Sequence, residues 1–290
     1  MTETPQLDVT EETLTDIVVA GMANGRDARA REIATSLVRH LHAFVREVRL
    51  TPAEWMDGIN FLTATGHLCD EKRQEFILLS DTLGVSMLVD AIANRKPSGA
   101  TESTVLGPFF TDDAPELAMG SAISASGRGD SVAVSGHVRD TAGKPIAGAV
   151  MEVWETDGDG RYDVQYERRE HPDCRGRFRT GLDGAYSFVA VKPVSYSIPT
   201  DGPVGTMLIA LGRHTMRPAH LHVRISAPGY AGVTTAVYTD DDPYLASDAV
   251  FGVKRSLVGH YTRSAVAQET AGGASAPPYA LVRDFVLVPA

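Results

Sequence analysis

The sequence predicts an α+β protein that is mainly β, a helical N-terminal region followed by a β-sandwich. Its apolar period changes once. Up to about Asn94 apolar residues recur every three to four positions, whereas after Ser131 they alternate at period two in short runs broken by turns. The first stripe is Ile33, Leu37, Leu41, Phe44 and Val48, one face of a helix. Thr51-Pro52-Ala53-Glu54 then reads as a capping box with proline in the first helical position. A third helical stretch, from roughly Glu71 to Ala93, carries Phe76, Leu79, Leu83 and Met87. Arg95 to Ser103, with Lys96-Pro97-Ser98-Gly99, reads as a linker, so the expected division is a helical region 1–100 and a sandwich domain 101–290.

The predicted strands are Val132-Ala133-Val134, Ala149 to Trp154, Tyr186 to Val189 and a segment after Arg217, a spacing suited to a sandwich. That last segment reads Arg217-Pro218-Ala219-His220-Leu221-His222-Val223-Arg224-Ile225, stopped by Ser226-Ala227-Pro228-Gly229. In a strand His220, His222 and Arg224 share one face and Leu221, Val223 and Ile225 the other. The two histidine Cα atoms then lie roughly 6–7 Å apart, within reach of one metal ion. A His-x-His pair alone is weak, because alternating strands produce it by chance and a buried histidine is commonly a hydrogen-bonded core residue.

Two tyrosines stand where a strand meets a loop. Tyr162 follows Trp154-Glu155-Thr156-Asp157-Gly158-Asp159-Gly160-Arg161, and Tyr196 lies within Lys192-Pro193-Val194-Ser195-Tyr196-Ser197-Ile198-Pro199. The Gly/Asp run lacks the twelfth-position glutamate of an EF-hand and is predicted to be a turn.

Tyr162, Tyr196, His220 and His222 in these contexts resemble the intradiol ring-cleaving dioxygenases. The likeness runs from Leu106-Gly107-Pro108-Phe109 through Asp240, and the preceding helical segment resembles that family's dimerisation region. The resemblance implies one Fe(III) per subunit, held by these two tyrosinates and two histidines. It further implies a catechol-type substrate and O2, with Tyr196 the ligand that substrate displaces and Tyr162 and His222 retained. His220 would stand opposite Tyr196, and Arg217 would stabilise charge developing on the ring. O2 would attack the chelated ring, which opens to a cis,cis-dicarboxylate.

The donor set is chemically coherent. Hard phenolate oxygens favour ferric over ferrous iron, and two tyrosinates with a hydroxide balance a 3+ charge. Each residue also has a plainer reading: a structural tyrosine, or a surface salt bridge for Arg217. Zinc is less well suited, since its usual sets are three histidines, two histidines with a glutamate, or thiolate-rich groups, and only Cys69 and Cys174 exist here. A two-histidine, one-carboxylate Fe(II) site could recruit Asp240, Asp241 or Asp242, although that run before Pro243 reads more simply as a solvated turn.

Three phrases resemble the hydroxyquinol 1,2-dioxygenase branch: Tyr162 to Tyr166, Ile198 to Gly205, and Gly212-Arg213-His214. Catechol and chlorocatechol enzymes are the alternatives. The same resemblance implies a pocket lined by Leu78, Asp81, Val105, Leu106, Gly107, Ile198, Pro199 and Arg217. Asp81, its only acid, would accept a hydrogen bond from the extra hydroxyl of benzene-1,2,4-triol, or else merely caps the third helix. Leu106 stands where an aromatic is common in that branch, which implies a wider pocket mouth.

Composition agrees. A 290-residue chain that is 43% hydrophobic can bury a substantial core, and a net charge of -10 argues against nucleic acid or an anionic membrane as partner. The N-terminus has no apolar core of a signal peptide, no run reaches a membrane span, and two distant cysteines fit a cytoplasmic location. A homodimer through the N-terminal helices is expected, with a phospholipid between them as a further expectation of the resemblance. A noncatalytic reading remains, because the stretch from Gly136 to Trp154 also occurs in transthyretin-like binding modules.

Overall fold

A computed structural model describes residues 9–71, 73–263 and 276–290. The chain divides into two compact units between Ala64 and Thr65. The first holds α1 (Leu14–Ala20), α2 (Ala28–Val48) and most of α3 (Pro52–His67). Asp27 caps α2, its carboxylate accepting from the Arg29 and Ala30 amides at 2.8 and 3.0 Å. The predicted capping box of α3 forms: the Glu54 carboxylate accepts from the Thr51 amide at 2.9 Å and Thr51 Oγ1 accepts from the Glu54 amide at 3.3 Å. Neither α1 nor α2 buries a side chain, and the stripe Ile33, Leu37, Leu41, Phe44 and Val48 is exposed along its length.

The predicted third helical stretch is two helices, α4 (Glu75–Thr82) and α5 (Val85–Ala93), bent by 77°. Gly84 causes the break. It sits at φ +74°, a left-handed conformation that ends a helix and that glycine adopts freely. Among the described residues no single helix is long and apolar enough to cross a membrane.

The second unit, Thr65–Ala290, holds α4 and α5 and, among the described residues, β1 (Ser131–Asp140), β2 (Val150–Trp154), β3 (Arg175–Arg179), β4 (Ala185–Val191), β5 (Tyr196–Ser197), α6 (Pro203–Ala210), β6 (Met216–Arg217), β7 (His220–Ser226), β8 (Tyr230–Ala231), β9 (Val233–Thr239), β10 (Val258–Gly259), β11 (Thr262–Arg263), β12 (Tyr279–Val282) and β13 (Phe285–Pro289). One sheet runs β11-β12-β1-β13-β8, with β4 also antiparallel to β1; the second runs β10-β9-β7-β2-β3. The core lies between them. Val132, Val134, Val138, Phe188, Leu281 and Phe285 from the first sheet meet Met151, Val153, Phe178, Leu221, Val223 and Ile225 from the second. Leu221, Val223 and Ile225 thus take the core face of β7, as alternation predicts, which turns His220 and His222 to the other face.

β1 pairs in parallel with two successive strands, Val132–Ser135 with β12 and Val138–Asp140 with β13. Between them the Arg283 carbonyl crosses against Gly136, where an added Cβ would lie 1.8 Å from that oxygen. Gly136→Ala must therefore push β1 from the β12–β13 crossing. It is expected to cost about 1–3 kcal/mol, read as a lower urea midpoint at unchanged m.

Candidate metal centre and active site

Local structure delivers each candidate ligand. Asp157, in the predicted turn, accepts from the Asp159 and Arg161 amides at 3.0 and 3.2 Å. Tyr162 follows, its amide donating to Gln165 Oε1 at 2.8 Å as a 3-10 turn begins. The next residue, Asp163, is buried and ion-paired with fully buried Arg175 and with Arg169. Tyr196 lies on β5, a two-residue strand paired only with β6, directly opposite Arg217. His220 and His222 project from β7 inside the second sheet.

These four residues converge. The hydroxyls of Tyr162 and Tyr196 are 3.2 Å apart, and Nε2 of His220 is 3.0 Å from Nε2 of His222. Atoms about 2.0–2.1 Å from one ion, at about right angles, lie about 3 Å from each other, so both spacings suit ligation of a single cation. His220 Nδ1 donates to the Pro218 carbonyl at 2.6 Å, which fixes the tautomer and makes Nε2 an acceptor. The His222 ring is clamped instead by Trp154, stacked at 4.7 Å and 3°. Gly107, at φ +74°, brings its backbone against that ring, and an added Cβ would sit 3.6 Å from His222 Nε2.

The electrostatics fit a cation site. Burial first, and then the Arg217 guanidinium, hold His220 well below the usual histidine range; burial, then His220 and Arg217, do the same for His222. Both rings are neutral and able to ligate. Burial, then Tyr196 beside it, push the Tyr162 phenol well above its ordinary value. Losing that proton requires a strong positive charge at the oxygen, which a polyvalent cation supplies.

No three His, Cys, Asp or Glu side chains converge among the described residues, and the side-chain oxygens that meet beside the two histidines are those of the tyrosines. The carboxylate alternative fails. Asp240 pairs with His260 and Asp241 with Lys192, while Asp242 accepts from Ser195 Oγ and the Ala219 amide. The turn is therefore not merely solvated.

Arg217 is no surface salt bridge, being only 3% exposed. Its Nε and Nη2 meet Asp248 at 3.1 and 3.3 Å, and Nη1 donates to Tyr196 Oη at 3.3 Å and His220 Nε2 at 3.2 Å. Arg217 thus reaches the same lone pairs that a bound cation would use. Burial opposes its charge, but Tyr196 and Asp248 outweigh burial and raise its pKa further above the usual arginine value.

Around this centre, Leu78, Asp81 and Pro199 join Arg73, Glu75, Pro108 and Phe109 in lining a cavity of about 190 Å³. Phe109 stacks on Tyr162 at 4.4 Å. Val105 and Ile198 are buried with Met87 and Leu208, with Leu78 packed against them, and so back the cavity wall. Leu106 is 41% exposed. Asp81 caps no helix: it is buried in the last turn of α4, and burial raises its pKa against the opposing pull of Ser86 and Arg217. The four donors line neither this cavity, which Phe109 joins to Tyr162, nor the larger ones of about 660 Å³ along residues 91–103 and about 790 Å³ between α1 and α2.

Sequence reasoning missed Trp154, Phe109 and Asp248 as parts of this centre, and considered Asp242 only as an alternative metal ligand. Trp154 and Phe109 stand inside phrases that already looked distinctive. Asp248 gives no local signal, since its partner lies 31 positions away.

Comparison with known proteins identifies the family. The family model described as "Dioxygenase" matches residues 105–286, and "Catechol dioxygenase N terminus" matches 27–101. The chain is 51% identical to the 6-chlorohydroxyquinol 1,2-dioxygenase of Cupriavidus pinatubonensis, over 95% of this chain and 96% of that protein. It is 50% identical to the hydroxyquinol 1,2-dioxygenase of a Rhizobium species, over 96% and 95%. The solved hydroxyquinol 1,2-dioxygenase of Pseudomonas putida DLL-E4 superposes with a TM-score of 0.90 at 48% identity, over 97% of this chain and 99% of that one. The chain belongs to the intradiol ring-cleaving dioxygenase family.

Proposed function

We propose that this protein cleaves hydroxyquinol, benzene-1,2,4-triol, between its adjacent hydroxylated carbons. Both atoms of O2 enter the product, 3-hydroxy-cis,cis-muconate, which ketonises to maleylacetate in the degradation of aromatic compounds. The observation that carries the chemistry is the meeting of two phenol oxygens and two imidazole nitrogens about 3 Å apart, with Arg217 beside them. The substrate follows from relatives whose names specify hydroxyquinol or its 6-chloro derivative.

In this reading Tyr162, Tyr196, His220 and His222 hold one Fe(III) per subunit. A ferric ion bound there would supply Lewis acidity toward the two adjacent hydroxyl oxygens of the substrate. Tyr196 would be the ligand that substrate displaces, and its phenolate would then be placed to take a substrate proton. Arg217, aimed by Asp248, stabilises negative charge as it develops on the ring. Phe109, Leu78 and Pro199 shape an apolar slot, with Val105, Ile198, Leu106 and Gly107 completing its surround. Asp81 accepts the hydrogen bond of the third hydroxyl. Asp81→Ala is expected to lower kcat/KM for hydroxyquinol about tenfold or more while changing that for catechol less; equal losses on both would remove Asp81 from specificity.

The same reading makes residues 101–290 the catalytic region and 1–100 a dimerisation and linker region, with α4 lending Leu78 and Asp81 to the pocket. The exposed stripe of α2 supports a homodimer, and the two unpaired cysteines, Cys69 and Cys174, are consistent with a cytoplasmic location. A phospholipid between the N-terminal helices is tested by mass spectrometry of an organic extract.

The deciding experiment is oxygen uptake by iron-quantified protein with hydroxyquinol and catechol, corrected for spontaneous oxidation. One O2 per hydroxyquinol, with maleylacetate formed and catechol slow, is the expected result. Activity on catechol alone moves the protein to the neighbouring substrate class. Bound iron without uptake would favour a binding module.

A further inference from the structure

Asp242, part of the carboxylate run after β9, joins the two segments that carry Tyr196 and His220. Its Oδ2 accepts from Ser195 Oγ at 2.6 Å and from the Ala219 amide at 2.8 Å, while Oδ1 accepts from the Tyr244 amide at 2.8 Å. Ser195 immediately precedes Tyr196, and Ala219 immediately precedes His220. One oxygen atom therefore spans the gap between neighbours of two candidate ligands. The Ala219 carbonyl also accepts from the Thr239 amide at 3.1 Å, and Lys192 meets Asp241 at 3.1 Å, so the turn after β9 holds both segments.

The need for such a link follows from topology. His220 begins β7 in a five-stranded sheet; that strand's register is set by β9, which pairs Tyr238 with His220, and by β2, which pairs Trp154 with His222. Tyr196 stands on a two-residue strand whose only ladder partner is β6, too short a ladder to fix a phenol oxygen by itself. A carboxylate accepting hydrogen bonds from both segments couples the weakly held one to the rigid one, and bonds to a charged acceptor are among the stronger ones available.

We propose that Asp242 is a positioning residue. By fixing the Ser195 backbone relative to Ala219, it makes the release and return of Tyr196 a side-chain rotation rather than a loop displacement. This rests on the reading of Tyr196 and His220 as ligands of one ferric ion. The phenol must regain its place in each cycle, and a small misplacement of a reacting group is costly in rate. The expected consequence is a change in kcat and in the tyrosinate-to-iron charge-transfer absorption, with little change in substrate affinity.

The test uses the iron-loaded protein and the variants Asp242→Asn, Ser195→Ala and the double variant. Asparagine keeps the volume but loses the charged acceptor; Ser195→Ala removes one arm alone and carries the test if Asp242→Asn fails to fold. Expected are wild-type iron content, a shifted charge-transfer band, KM within about threefold and kcat lowered about 10- to 100-fold in Asp242→Asn, the range for loss of a group supporting a metal ligand. Ser195→Ala should shift the band in the same direction by less, and the double variant should be no worse than Asp242→Asn, because both changes break one link. Variants with the wild-type band and kcat within about twofold would overturn the positioning role while leaving the ferric site intact. A wild-type protein that binds iron without developing the band would overturn the ligand reading itself, and this inference with it.

Discussion

Tyr196→Phe is expected to retain bound iron, shift the charge-transfer band and lower kcat about 100-fold or more, with Tyr162, His220 and His222 still holding the metal. The asymmetry between the two tyrosines supports the choice. Tyr162 is wholly buried, stacked under Phe109 and followed by the Asp163–Arg175 ion pair. Tyr196 lies on a two-residue strand and accepts a hydrogen bond from Arg217, a cation able to stabilise a phenolate at that position. Removing a positioned proton acceptor typically costs two to four orders of magnitude in rate, or about 3–5 kcal/mol of barrier. Metal analysis and the visible spectrum, read beside stopped-flow turnover, decide the matter. Loss of iron in Tyr196→Phe would reject the displaceable role.

The second large effect concerns Arg217 and Asp248, respectively 3% and 4% exposed and joined by two contacts of 3.1 and 3.3 Å. Breaking a buried ion pair from one side strands the other charge, at a cost of about 3–5 kcal/mol. Asp248 also accepts from the Val250 and Gly252 amides at 3.2 and 2.9 Å, so its loss frees backbone donors as well. Asp248→Ala should therefore lower both stability and kcat. Arg217→Met with Asp248→Leu separates the two effects. The doubly apolar variant should regain the stability lost to the stranded charge but not that lost with the Val250 and Gly252 hydrogen bonds, and remain about 100-fold or more slower than wild type, the usual scale for loss of a group stabilising developing charge. Chemical denaturation with steady-state kinetics tests both halves. Recovery of activity along with stability would reduce Arg217 to a packing element.

The parts of this protein legible in its sequence share a property: short-range periodicity or a compact motif. Alternation along β7 assigns Leu221, Val223 and Ile225 to the core and the histidines to the opposite face, and both assignments hold. The Thr51 capping box also forms as written. The single helix expected over 71–93 failed at Gly84, because apolar spacing continues across a glycine whose backbone turns left-handed.

What the sequence by itself determined is the fold class, the two faces of the histidine strand and, through the motifs around them, the candidate donors Tyr162, Tyr196, His220 and His222. Only the tertiary structure decided that these donors meet, that Arg217 is buried beside them rather than paired at the surface, that Asp248 pairs with Arg217, and that Asp242 bonds the neighbours of Tyr196 and His220. The physical reason is range. Side-chain direction within a strand is fixed by the neighbouring peptide units and can be read locally. A contact such as Arg217 to Asp248, by contrast, exists only once packing of the sandwich and its loops has closed the intervening chain and excluded water around both charges.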